Sequence, residues 1–424
     1  MQRWHEDGES GCKKKHIMTT LGLIEGVERT LYRDEVEQIY VYPIDEKIEL
    51  LRISGRYSRY TGNFGHLAGD YYARLPERDV LTLLQKTLGI DLEKDSLAAI
   101  GEAVAKPYLP SHFDEKAEDG TKQQNVAQEP GFIEKRIQEI ELSPDRDAII
   151  LEAVRKGAVG NEIEHIDDAK VAAYVLADGT GVSGLPTELS DKGKNGGPAK
   201  TFEAKIGVTF TQNFDANGLP LLENGSIHRN PGSTRYIGTV EKIDQFTSQM
   251  EAFARVNGIG NADQIVFLSD GANCLENLRK KLFPNSIGVV DFFHSSEHLH
   301  KLVNSLLFYS EQKKAVFLEK CFHFLELGMI DQLVDLVDQK IIDSNRESVC
   351  KQLAYFTGNK NKMRYGLFRA AGIFIGSGVV EAGCKTIVQN RLNRSGMRWS
   401  KKNAANVIAL RCAVYSGSYD SDAA

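Results

Sequence analysis

Three carboxylates stand where this chain could use them for chemistry. Asp178 closes the apolar run "VAAYVLAD", Asp270 closes "QIVFLSD", and Glu381 sits in "IGSGVVEAGCK" among small and apolar neighbours. An acid that directly follows an apolar strand lies at the carboxyl edge of its sheet, where open α/β sheets bind ligands. Each Asp is also followed by Gly, and Asp-Gly is a common turn pair, so a turn-forming role competes at both positions. Glu381 has three readings: a solvated helix acid, the mate of a nearby Arg or Lys, or the last ligand of a metal site. Carboxylates from three separate elements can hold two Mg²⁺ or Mn²⁺ ions, hard cations that take oxygen ligands. Such a pair activates a water or hydroxyl and stabilises the leaving oxygen of a phosphodiester.

The charge distribution favours the last reading of Glu381. The chain has 424 residues and a net charge of -6, yet residues 358–412 carry eleven Lys or Arg and the single acid Glu381. That asymmetry is the footprint of a localised polyanion site, against the alternative of a solvated basic face. Within it, "RLNRSGMRWSKK" interleaves Arg391, Arg394, Arg398, Lys401 and Lys402 with Trp399, and Lys385 lies just upstream. Cations around an aromatic suit a distorted or single-stranded DNA end, on which Trp can stack. The competing reading is a core Trp with snorkelling arginines.

Two other motifs point elsewhere. "GTGVSG" (Gly179, Gly181, Gly184) fits the dinucleotide fingerprint, but those glycines must open a helix and "LPTELSDKGKNGGPAK" cannot begin one. "HSSEH" (His294, Glu297, His298) fits an inverted zinc-peptidase motif, with both His on one helix face. That reading leaves Asp178, Asp270 and the basic segment unexplained. Glu297 is also the reserve candidate for the third acid.

The elements that must position these groups read as follows. Residues 1–75 are a poorly defined, β-containing N-terminal region whose first fifteen residues are expected to be disordered. Residues 76–109 give two helices, 76–88 ended by Gly89 and a second capped by Asp95 and running to 105, a helix-turn-helix candidate. Residues 110–170 read as a polar linker followed by one helix over 133–157. Residues 171–300 carry the strands, with a helix beginning near Ser295, and imply an α/β layer. Residues 301–370 form an all-helical insertion, 371–417 complete the core with Glu381 and the basic segment, and 418–424 are a tail. No apolar run is long enough to span a membrane. Six scattered cysteines without a CxxC pair fit reduced thiols in a cytoplasm.

The segments "VLADGTGV", "IVFLSDGA", "VVDFFHSSEHL" and "GSGVVEAGCKTIVQNRLNRSGMRWS" resemble the ISKra-type insertion-sequence transposases. The likeness covers about 171–417, weakening upstream to about 76. It implies a ribonuclease-H-like mixed-sheet core broken by the helical insertion, with an α+β region before it. It implies the DDE acids Asp178, Asp270 and Glu381, with Asp178 shared by two Mg²⁺ or Mn²⁺ and each of the others completing one. Asp291 and His294 match a D-x-x-H signature shared with Mutator-like relatives, in a supporting role. The implied reaction is cleavage at inverted-repeat DNA ends and joining of the 3'-hydroxyls to target DNA. A homodimer or higher oligomer on DNA and a bacterial, cytoplasmic setting follow. The alternative class is a catalytically inactive DNA-binding remnant, which needs the basic patch but not the acids.

Overall fold

The apolar runs before the two aspartates form the middle of a five-stranded sheet. The computed structural model describes residues 4–6, 13–29, 32–34, 39–116, 130–162, 169–189, 200–342 and 346–419. The molecule is mixed α/β. Its central strands are β5 (Lys170–Ser183), β6 (Thr201–Phe214), β7 (Arg235–Thr239), β8 (Gln264–Ser269) and β9 (Ile287–Val290), in the spatial order β7-β6-β5-β8-β9. β5, β6 and β7 pair antiparallel, whereas β8 is parallel to both β5 and β9.

Both faces of this sheet are covered, so β5 is apolar at consecutive positions rather than alternating. Ala173, Val175, Ala177 and Phe267 pack with α6 (Ile243–Val256) and α7 (Asn273–Leu282). Ala172, Tyr174, Leu176, Val266 and Leu268 join the larger core on the other face. Successive strand residues alternate faces, so Asp178 and Asp270 continue the second set.

Upstream, β1 (Lys13–Thr19), β2 (Gly22–Arg29), β3 (Leu50–Ile53) and β4 (Arg56–Thr61) form a sheet of order β2-β1-β4-β3. The expected disorder over the first fifteen residues falls partly outside the described residues, but Lys13 to Lys15 already belong to β1. Helices α1 (Gly62–Arg74), α2 (Glu77–Leu88) and α3 (Lys94–Ala105) follow. Gly89 ends α2 in the left-handed conformation, φ 65°, as its type allows. The N-cap of α3 is Glu93, not the expected Asp95. Leu97, Ile100 and Val104 lie in the same buried core as the central sheet.

The expected helix over 133–157 is two, α4 (Phe132–Leu142) and α5 (Arg146–Lys156). Pro144 sits between them, and the residue before a proline is driven out of the helical region, as Ser143 is at ψ 137°. Most of the expected linker lies outside the described residues, and Ser111–Lys116 is helical. The helical block is present as expected. After α8 (Phe292–Asn304) it contains α9 (Glu311–Leu327), α10 (Ile330–Asp338), α11 (Arg346–Asn359) and α12 (Tyr365–Ala370). The chain then returns to the sheet through α13 (Gly378–Gly383) and a π-helical turn, Cys384–Gln389, and ends in α14 (Lys401–Ser416). Among the described residues no helix is long and apolar enough to cross a membrane.

Candidate active site

The register of the parallel strands brings three aspartates into one row. Leu268 pairs with Leu176, so Asp270 and Asp178 lie level two residues further on. Ser269 pairs with Val290, so Asp291 lies level with Asp270 one residue further on. Neighbouring strands lie about 4.8 Å apart, so the three aspartates leave adjacent strands at one edge of the sheet.

Asp178 does not end its strand. β5 runs on through Ser183, paired with β6 from Gly179–Lys205 to Ser183–Thr201. The Gly-rich stretch is therefore strand, and no helix opens there as a dinucleotide site would need. Its glycines admit close neighbours instead. A Cβ on Gly179 would meet Glu203 Oε1 at 2.7 Å, and one on Gly184 would meet Leu189 at 2.5 Å. The Asp178 carboxylate accepts the Gly179 N–H at 2.7 Å, and Cys384 Sγ lies 3.6 Å from its other oxygen. Asp270 does follow the last residue of its strand, and its Oδ1 accepts the Ala272 N–H at 2.8 Å.

Glu381 reaches the same place along an anchored return segment. Gln212 Nε2 donates to Gly372 O at 2.9 Å, and the Phe374 N–H donates to Tyr174 Oη at 3.3 Å. The Phe292 N–H donates to Ile375 O at 3.0 Å. Asp291 makes the next link. Its Oδ1 caps α8 by accepting the His294 N–H at 2.5 Å, and its Oδ2 accepts the Ser377 N–H. Ser377 Oγ then donates to Glu381 Oε1 at 2.7 Å. Helix α8 starts at Phe292 rather than near Ser295, because Asp291 is its cap. Asp291 is 1 % exposed, and each of its oxygens accepts one backbone N–H.

Asp178 feels the charges of both other candidate acids. Burial pushes the Asp178 carboxyl above its ordinary value, and the negative charges of Asp270 and Glu381 push it further in the same direction. The N–H of Gly179 and the Cys384 thiol oppose the rise. Like charges so placed favour a cation between them. The donor set is all hard oxygen, as Mg²⁺ or Mn²⁺ requires. Among the described residues no three His, Cys, Asp or Glu side chains already form a single-ion group.

The zinc-peptidase geometry is not formed. His298 lies flat on Tyr355, ring centroids 3.8 Å apart, with Nδ1 3.3 Å from Gln352 Oε1. The His294 and His298 rings are 5.2 Å apart. Glu297 is exposed and pairs with Lys301 at 3.9 Å.

The basic segment divides into two groups. Lys385, Arg394, Arg398, Lys401 and Lys402 are exposed. Arg394 Nε donates to Asn390 O at 2.8 Å, and Lys402 pairs with Glu102 at 2.7 Å. Trp399 and Arg391 do not face solvent, which corrects the stacking expectation. Trp399 is 8 % exposed and its indole N–H donates to Leu392 O at 2.9 Å. Arg391 is 1 % exposed, donates to Tyr72 O at 3.3 Å, and lies between the rings of Tyr72 and Trp399. Both are core residues that fix the segment against the sheet.

Sequence reasoning missed Ser377, Cys384 and Tyr355. Ser377 is the one with a local signal, four residues before Glu381 and so within reach of it on a helical turn. No protein-family model matches the chain, and no curated protein sequence matches it.

Proposed function

We propose that this chain is a metal-dependent DNA strand-cleaving and strand-joining enzyme of the DDE transposase type. The observation that carries the reading is the meeting of Asp178, Asp270 and Glu381 from two strands and a helix beside a cationic surface segment. The order β7-β6-β5-β8-β9, three antiparallel strands continued by two parallel ones, supports a ribonuclease-H-like core. The helical block between β9 and Glu381 supports the same reading.

Asp178, Asp270 and Glu381 would hold the divalent ions, Mg²⁺ or Mn²⁺. When bound, these ions supply activation of a water or 3'-hydroxyl and neutralise charge at the phosphodiester. Asp178, which feels the charges of both others, would hold the ions together with them. Asp291 and Ser377 keep Glu381 oriented. Lys385, Arg394, Arg398, Lys401 and Lys402 would bind DNA phosphates and hold the scissile strand against the acids. His294, at the first turn of α8, would contact a phosphate or help orient an acid at the same edge. The substrates on this reading are inverted-repeat ends and target DNA, and joining two ends calls for a homodimer or larger assembly.

The test is cleavage of DNA bearing the flanking ends of the element, with Mg²⁺ or Mn²⁺ and in EDTA, by wild type and Glu381→Gln. Cleavage that requires metal and disappears in the variant supports the reading. DNA binding without cleavage by wild type would instead favour an inactive remnant.

A further inference from the structure

The turn that carries Asp270 is gripped by a helix from the inserted block. The Tyr355 hydroxyl, on α11, donates to the backbone carbonyl of Asp270 at 3.0 Å, across 85 positions of sequence. The Tyr355 ring is held in turn. It stacks on His298 with an interplanar angle of 14°, and His298 Nδ1 lies 3.3 Å from Gln352 Oε1 one turn earlier on α11. Asn359 Nδ2 donates to Tyr355 O at 2.9 Å. The next residue of the turn, Gly271, has φ +87°, and a Cβ there would meet Asn359 Nδ2 at 3.2 Å and Tyr355 Cε2 at 3.3 Å. Two side chains of α11 therefore close on the Asp270–Gly271 peptide.

Tyr355 does not touch a carboxylate. It fixes the main chain from which one carboxylate leaves. We propose that Tyr355, braced by His298, is a positioning residue that sets the placement of Asp270 against Asp178. This gives the inserted block a part in assembling the acids, distinct from any contact it makes with DNA. It rests on the reading that Asp178, Asp270 and Glu381 hold a divalent ion. Groups that orient metal ligands typically change metal affinity by about 10- to 100-fold when removed. One hydroxyl acting through a backbone carbonyl belongs at the lower end.

The experiment is titration calorimetry of the full chain with Mn²⁺ alone, without DNA, on wild type, Asp178→Asn, Tyr355→Phe and His298→Ala. Tyr355→Phe keeps the ring and its stacking but loses the donated hydrogen bond. The expected result is Mn²⁺ binding by wild type, none by Asp178→Asn, and binding weakened about tenfold in Tyr355→Phe with its thermal midpoint preserved. His298→Ala, which removes the brace and leaves the hydroxyl, shifts affinity the same way by a smaller factor and carries the test if Tyr355→Phe does not fold. In cleavage assays the Mn²⁺ needed for half-maximal rate rises in Tyr355→Phe while the rate at saturating Mn²⁺ is kept. Unchanged affinity in both Tyr355→Phe and His298→Ala, with binding abolished by Asp178→Asn, would overturn the role of Tyr355 and leave the metal reading standing. No Mn²⁺ binding by wild type would overturn the metal reading, and this assignment with it.

Discussion

Asp291 holds Ser377 by its backbone N–H, and through it fastens the helix that carries Glu381 to the strand edge that carries Asp270. The two residues are 86 positions apart, with the whole helical block between them. The Phe292 N–H to Ile375 O bond ties the same two segments together.

Removing this carboxylate should cost both stability and activity. Asp291→Ala leaves the N–H groups of His294 and Ser377 without acceptors in a buried place. The expected loss is about 2 kcal/mol, the sum expected for a lost cap and a lost charged hydrogen bond. Denaturant midpoints measure it. Ser377→Ala, which spares the backbone bond, should cost about 1 kcal/mol through the hydrogen bond lost to Glu381 and lower cleavage by more than that loss explains.

The exposed and buried members of the basic segment should separate in a salt titration. Arg398→Ala and Lys401→Ala should weaken DNA binding, each lowering the slope of log affinity against log salt by roughly 1. Trp399→Phe should leave that slope unchanged and destabilise the fold by about 1 kcal/mol, through the hydrogen bond lost to Leu392. A Trp399→Phe variant that binds DNA poorly at unchanged stability would contradict its placement in the core.

Gly271→Ala tests the turn after Asp270. Its φ of +87° disfavours any side chain, and the added methyl would press on Asn359 and Tyr355. A strain of about 1–2 kcal/mol is expected on unfolding. Cleavage should fall more than stability alone accounts for, because the strain is released where Asp270 is held.

Acid sensitivity should report on Glu276. Burial alone would raise its carboxyl, but the Arg279 hydrogen bond and the charges of Arg279 and Lys362 outweigh it and bring the value down from 4.5 to about 2. A folded value below the unfolded one contributes stability that is complete above the unfolded value and is lost as pH falls towards the folded one. Wild type should therefore lose stability between pH of about 4.5 and about 2. Glu276→Gln should show a shallower decline over that window when urea midpoints are followed against pH.

The strands and the inserted helices were legible because apolar runs and helical spacing announce them. The course of β5 was not. Asp-Gly reads locally as a turn, yet pairing with β6 carries the strand straight through it. Non-local pairing outweighs turn preference there. The fate of Trp399 was open for a similar reason. An aromatic among cations has the same local signature whether it stacks on a base or on Arg391, and only the position of Tyr72 decides. Tyr355 has no signal at all, since nothing near it in sequence points to Asp270.

The last helix has a consequence for the order of events during synthesis. Arg411 donates to Ala73 O and Thr386 O, and Tyr419 Oη donates to His66 O at 2.6 Å. Helix α1 is made early, but part of its covering arrives more than three hundred residues later. At roughly 5–20 residues per second, the ribosome leaves that face open for tens of seconds. Glu381 likewise emerges long after Asp178. The nascent chain thus carries an exposed apolar helix until residues 411–419 have been made, and release before then would leave it aggregation-prone.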